Sequence, residues 1–242
     1  MKKVLLSLIM GICFVCVANA QIRLGVEAGG SVSFMHVQNN AAIGRGFGGL
    51  VLDVPVYKNI EIQTGFDYTS KGARRLTGEN RVLIDGHFYE RVDMINLRYL
   101  ELPIRVAYRF RLSRVFSLVP SFGWYFGVGI GSNSPIHVTT MYGEGRSFDH
   151  YVNRKWENPF KQMEMANEDT DYKSVYKPFD RFDHGMQFRL TADISHVCIN
   201  LSYDYGLHRI WDGFGEPVKV RGYNNKVSNQ CLMLSLGYKF FL

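Results

Sequence analysis

Leu100-Glu101-Leu102-Pro103-Ile104-Arg105-Val106-Ala107-Tyr108-Arg109-Phe110-Arg111 decides the fold. The even-numbered positions are all aliphatic or aromatic; the odd-numbered ones hold Glu101, Pro103, Arg105, Ala107, Arg109 and Arg111. A period of two marks a β-strand. Seven further stretches share the period, giving expected strands at 22–35, 47–56, 60–71, 97–111, 115–130, 184–194, 197–207 and 230–242. In all of them the apolar face lacks carboxylate, lysine and arginine, while the other face mixes charges with glycine. Strands read this way when one side meets lipid and the other lines a narrow lumen.

The connections alternate in length. Tyr57-Lys58-Asn59, Leu112-Ser113-Arg114 and Ser195-His196 are tight turns, and between them come long loops at 36–46, 72–96, 131–183 and 208–229. Short turns at one end and long loops at the other describe an eight-stranded antiparallel up-and-down transmembrane barrel, with periplasmic turns, extracellular loops and both termini in the periplasm. A soluble lipocalin-like barrel would put the apolar face inside, but Phe116, Leu118, Phe122, Trp124 and Phe126 on one strand are too bulky for a narrow eight-stranded interior. Gly25, Gly29, Gly49, Gly65, Gly123 and Gly127 on the opposite face fit that interior. In the second loop, Arg81–Ile84 and His87–Val92 flank Asp85-Gly86, which predicts a projecting ribbon with a type I′ turn. The third loop exceeds ordinary connections and is expected to be functional or mobile.

Lys2 and Lys3 precede an apolar run from Val4 to Val17 and then Ala18-Asn19-Ala20, the pattern of a signal peptide cleaved before Gln21. Residues 1–20 are therefore expected to be a leader, and residues 21–242 a single outer-membrane barrel domain. Removing the leader lowers the formal charge from +6 to +4, because it holds two lysines and no acid. No basic cluster accompanies that balance, so nucleic acid is not an expected partner. A hydrophobic content of 46% and a mean hydropathy of -0.10 are ordinary for a barrel, whose two faces cancel. Cys198 and Cys231 remain after cleavage. They lie near the starts of successive antiparallel strands, hence at opposite ends of the hairpin, and are expected to stay free thiols.

The inward face carries Glu27, Asp53, Glu61, Asp67, Glu101, Arg105, Arg109, Arg189, Asp204 and Lys239. A channel would use such residues as its lining. An eight-stranded lumen is normally filled by side chains, and charges held there must pair, so these ten residues are expected to form a structural ion-pair network. Pro103 removes a ladder donor and is expected to mark a bulge. The third loop combines aromatic and polar groups suited to recognition of a surface protein or glycan, or to folding over the barrel mouth. Its candidate binding residues are Tyr151, Trp156, Phe160, Tyr172 and Tyr176.

Six of the seven histidines (His36, His87, His137, His150, His184 and His208) fall in or beside the long loops, but none has zinc-motif spacing. Glu168-Asp169-Thr170-Asp171 lacks the alternation and glycine of a calcium loop. No metal or cofactor is expected. Ser147, Asp149 and His150 are neighbours in sequence without a nucleophile elbow, so no catalytic residues are assigned.

Gly25-Val26-Glu27-Ala28-Gly29, Tyr68-Thr69-Ser70-Lys71-Gly72, Tyr99-Leu100-Glu101-Leu102-Pro103, Tyr203-Asp204-Tyr205-Gly206-Leu207 and Leu236-Gly237-Tyr238-Lys239-Phe240 occur in order along the chain. In these segments the sequence resembles the PorT-like family of outer-membrane β-barrel proteins. The resemblance implies an outer-membrane barrel and brings type IX protein secretion into view, with secretion-machinery proteins as candidate partners. The third loop and the ending Phe241-Leu242 depart from the shared pattern. The leading expectation is a non-enzymatic barrel in outer-membrane lipid, with a closed lumen, serving as a surface scaffold or binding protein. The alternatives are a secretion accessory and, behind it, a lipid-modifying enzyme.

Overall fold

A computed structural model describes residues 22–35, 42–83, 86–132, 136–144, 150–166, 173–176, 178–211 and 227–241. The expected leader, residues 1–20, lies outside these, as does the acidic run 168–171. The strands are β1 (Arg23–Met35), β2 (Ile43–Tyr57), β3 (Ile60–Leu83), β4 (Gly86–Tyr108), β5 (Phe110–Arg111), β6 (Phe116–Ser132), β7 (Ile136–Glu144), β8 (His150–Trp156), β9 (Met163–Ala166), β10 (Lys173–Tyr176), β11 (Phe182–Ile194), β12 (Val197–Gly206) and β13 (Asn229–Phe241).

Eight of them close an all-antiparallel barrel in the order β13-β1-β2-β3-β4-β6-β11-β12, with β12 returning to β13. Burial alternates along each strand. On β1, Arg23, Gly25, Glu27 and Ser31 face in, whereas Leu24, Val26 and Val32 face out. The outward face is apolar all the way round: Phe66, Leu100, Val106, Phe122, Phe188 and Leu236 are among its exposed side chains. The apolar belt therefore lies outside the barrel, as lipid requires.

The eight expected strands coincide with these eight, with shifted ends. β2 starts at Ile43 because the β1–β2 ladder runs on to Ser33 and Ile43, through a stretch where Gly44, Gly46 and Gly48 leave no apolar alternation to read. The expected bulge at Pro103 does not form. The β4–β6 register passes through Pro103 and Tyr125 unbroken, and its irregularity falls between Arg98 and Tyr99. On the β3 side, Thr64 Oγ1 donates to the Pro103 carbonyl at 2.8 Å, which engages the local backbone where proline offers no donor.

The long-loop end is more structured than the sequence indicates. β3 and β4 continue as the expected ribbon, but Leu83 pairs with Gly86, so Gly86 belongs to β4 instead of the turn. Residues 84 and 85 lie outside those described. Within the third loop, β7 pairs with β4 and β8 with β7, which makes a sheet of four strands above the barrel; β9 and β10 form a separate hairpin. The run Ile136-His137-Val138-Thr139-Thr140-Met141 loses its alternation at the paired threonines, so it carries no two-residue period.

The short turns have different local chemistries. Lys58 and Ser195 adopt left-handed backbone (φ 50 and 60) at the first corner of two-residue hairpin turns. In the third turn, Ser113 Oγ accepts the amides of Val115 (3.3 Å) and Phe116 (3.1 Å). Cys198 sits opposite Gly237 and Cys231 opposite Asp204, several rungs apart, and both are buried free thiols.

Candidate functional site

Strand parity sends one side chain in two toward the lumen, and the lumen collects charge in tiers. At the short-turn end, three cations interlock with three carboxylates. Arg109 reaches Glu61 through Nε (2.5 Å) and Nη2 (3.2 Å), and Asp193 through Nη1 (2.6 Å). Lys239 Nζ lies 2.8 Å from Asp53 and 3.1 Å from Asp193, and Arg23 Nη2 lies 2.5 Å from Glu61. Each cation thus ties together different strands, and each carboxylate has at least one cationic partner.

In the middle tier, Arg189 Nη2 donates to Glu27 at 2.8 Å. Glu27 Oε2 also accepts from Asn200 (2.8 Å) and Ser235 (2.7 Å), and Arg189 Nε donates to Ser202 (2.7 Å). Arg105 donates to Gln187, and Gln187 donates in turn to Asp204 at 2.6 Å. Among the described residues no carboxylate comes within ion-pair distance of Arg105. Asp67 is buried here too, with Arg189, Glu27, Arg105 and Asp204 as its charged surroundings. A Cβ at Gly49 would meet the Asp67 carboxylate, so glycine makes room for that acid.

Toward the long-loop end, Lys71 Nζ bridges Glu101 (2.7 Å) and Asp204 (2.8 Å) and stands 3.9 Å from the centre of the Tyr125 ring. Tyr125 and Asn229 both donate to Asp183, at 3.4 and 2.9 Å. The ten lumen residues expected from sequence are all buried inside the barrel. Arg23, Lys71, Asp183 and Asp193 join them. The first two and Asp193 share the inward parity of their strands, and Asp183 precedes the expected start of its strand by one residue.

Above this tier the lining turns apolar. Tyr99, Trp156, Phe160, Phe179, Ile210 and Trp211 are part of one buried cluster over the mouth. Phe179 stacks on Trp211 (centroids 4.9 Å, 21°) and lies 5.5 Å from Trp156; Phe160 meets Tyr99 edge-on at 6.4 Å. A Cβ at Gly129 would overlap the Phe160 ring, so this glycine lets the ring descend into the mouth. Of the five expected binding residues, Trp156 and Phe160 are therefore buried packing groups, 3% and 8% exposed, because the loop uses its aromatics to build a local core. Tyr151 and Tyr176 lie on β8 and β10, and Tyr172 falls outside the described residues.

At the rim, the His184 and His208 rings are 5.5 Å apart, and His208 Nε2 lies 2.9 Å from Asp180. Partial burial pushes the Asp180 carboxyl up, but the Phe182 amide and His208 outweigh it and hold the group below the usual carboxylate range. Among the described residues, no three His, Cys, Asp or Glu side chains are arranged to hold a metal ion. Ser147 and Asp149 lie outside the described residues.

No curated protein matches the chain. Among solved structures, it is similar to Ail, the attachment invasion locus protein of Yersinia pestis (13% identity, 91% of this chain and 99% of that one, TM-score 0.37). It is also similar to the outer membrane protein OprG from Pseudomonas aeruginosa (11%, 93% and 98%, TM-score 0.40) and to Neisserial surface protein A (11%, 90% and 97%, TM-score 0.36). Residues 18–212 match the family described as outer membrane protein beta-barrel domain. The closed barrel with its apolar belt outside agrees with that match, and the chain belongs to this family of outer-membrane β-barrel proteins.

Proposed function

We propose that this barrel is non-enzymatic, keeps its lumen closed, and acts at the cell surface as a scaffold or binding protein for a protein or glycan. The observation that carries the reading is the Lys71 bridge. β3 and β12 stand on opposite sides of the barrel, yet Lys71 and Asp204 touch across it. In this reading the buried charges, from Glu27 to Lys239, are a structural network held mostly by ion pairs, with Arg105 the departure, engaged by the neutral Gln187 instead of a carboxylate. Residues 1–20 are removed on export, and the short turns and the strand ends near Arg23 and Phe241 face the periplasm.

Binding then belongs to the long-loop end. The sheet β3-β4-β7-β8 projects from the rim with β8 at its edge, and an edge strand offers backbone groups to a partner. Tyr151 and Tyr176 are contact positions in this reading, while Trp156 and Phe160 hold the loop in place. The PorT-like segments support an alternative role as an accessory of type IX secretion. Deleting the gene and examining surface proteins separates the two. Normal export with lost surface binding supports the proposal, cargo trapped in the periplasm supports the secretion role, and altered lipid acylation would point to an enzyme instead.

A further inference from the structure

The short-turn end of the barrel exposes charge of one sign. Lys58, Arg111 and Arg114 are exposed there, whereas Asp53, Glu61 and Asp193, the carboxylates among the described residues at that end, are buried and bound by Lys239, Arg23 and Arg109. The two turns that carry the exposed cations lie side by side. The Arg109 amide donates to the Asn59 carbonyl at 2.8 Å, which carries the β3–β4 ladder one rung further and sets Lys58 beside Phe110 and Arg111. Arg114 sits in a turn held by the Leu112 and Ser113 amides, which both donate to the Phe116 carbonyl, at 3.1 and 3.0 Å. Among the described residues neither the Arg111 nor the Arg114 guanidinium has an ion-pair or hydrogen-bond partner. Lys58 Nζ stands 5.1 Å from the centre of the exposed Tyr57 ring.

Apolar groups interleave with these cations. Tyr57, Leu112 and Val115, in the same two turns, are 61%, 63% and 61% exposed. Beside them the apolar belt ends in exposed rings: Tyr108 with Phe110 (centroids 4.7 Å) and Tyr238 with Phe240 (5.0 Å). Aromatic girdles sit where hydrocarbon gives way to head groups, so the cations just beyond these rings stand at the level of the lipid phosphates. A soluble acidic partner would leave Leu112 and Val115 in water, whereas a lipid takes both kinds of group. We infer that this end is a docking surface for anionic glycerophospholipid. Arg111 and Arg114 hold the head-group phosphodiester, Lys58 adds charge beside it, and Leu112 and Val115 dip into the acyl region. Guanidinium groups match phosphate oxygens in geometry as well as charge. The surface rests only on the barrel's place in a membrane; the proposed orientation adds that the periplasmic leaflet supplies the lipid.

The test uses the full chain refolded into nanodiscs of equimolar phosphatidylcholine and phosphatidylglycerol with matched acyl chains. Both leaflets then have one composition, so failure there counts against the surface and leaves the orientation and the binding role standing. Native mass spectrometry after detergent extraction reads the lipid retained. Wild type retains phosphatidylglycerol over phosphatidylcholine by about tenfold, and Arg111→Gln with Arg114→Gln brings the two lipids to near parity. Lys155→Gln with Arg181→Gln removes two exposed cations from the opposite end and leaves the preference intact. Heat-modifiable migration verifies that each variant is folded, and Arg114→Gln alone, with a partial loss expected, serves if the double variant is not. No preference in wild type, an unchanged preference in the double variant, an equal loss in the opposite-end control, or displacement by millimolar inorganic phosphate would overturn the proposal.

Discussion

Lys71 Nζ, on β3, lies 2.8 Å from Asp204 Oδ2, on β12, and these strands are diametrically opposed in the barrel. One side chain therefore crosses the lumen. The same Nζ holds Glu101 at 2.7 Å, so one buried cation serves two buried carboxylates. Removing it would leave both without their cation at a place where neither carboxylate is exposed.

Lys71→Ala is expected to cost about 3–5 kcal/mol, read as a lowered urea midpoint for the refolded barrel in detergent. Arg105→Ala is expected to cost less, about 1–3 kcal/mol, because Arg105 hydrogen-bonds the neutral Gln187 and has no carboxylate in ion-pair range among the described residues. A larger loss at Arg105 than at Lys71 would show that the network is ranked wrongly.

Phe179 packs against both Trp156 and Trp211 in the cap, with centroids at 5.5 and 4.9 Å. Phe179→Ala is expected to remove about 3–5 kcal/mol of packing from the cap alone. Limited proteolysis would then cut the long loops faster, while the barrel keeps its heat-modifiable migration. If loop cleavage is unchanged, the cap does not depend on this ring.

Ser195 holds φ 60 in the two-residue turn between β11 and β12. A β-branched residue is strained there, so Ser195→Val is expected to lose about 1–3 kcal/mol, whereas Ser195→Gly keeps wild-type stability. The pair of unfolding midpoints checks this; equal midpoints for Val and Gly would contradict it.

Asp180 gives the rim a pH response. Its carboxyl titrates below its ordinary value of 3.8 in the folded protein, with the Phe182 amide and His208 as the cause. A depressed carboxylate stabilises the fold above its unfolded pKa, and that contribution disappears as the pH falls below about 4 and through the folded value. The Phe182 amide resonance in micelles should hold steady down to that range and then shift, and Asp180→Asn should abolish the shift. Titration of that amide above pH 5 would contradict the assignment.

The barrel was legible in the sequence because lipid on one side and a tight lumen on the other force a two-residue period, clearest from Leu100 to Phe110. That signal fades where both faces meet a similar environment. The start of β2 is hidden by Gly44 and Gly46, β7 loses its alternation at Thr139 and Thr140, and β8 to β10 are seven residues or shorter. The inward set was readable by parity, which also covered Arg23 and Lys71, but parity does not choose partners. Arg105 lies four residues before Arg109 and differs from it completely: one hydrogen-bonds an amide side chain, the other grips two carboxylates. Trp156 and Phe160 were readable as loop aromatics, yet their burial depends on Phe179 and Trp211, which no spacing in the chain brings together.

Planar-bilayer recording of the refolded wild-type barrel tests the closed lumen most directly. With Lys71, Arg109 and Lys239 each bridging opposed carboxylates and the aromatic cap above them, the expected result is negligible conductance at physiological salt. Large, steady single-channel currents from the wild-type protein would contradict it.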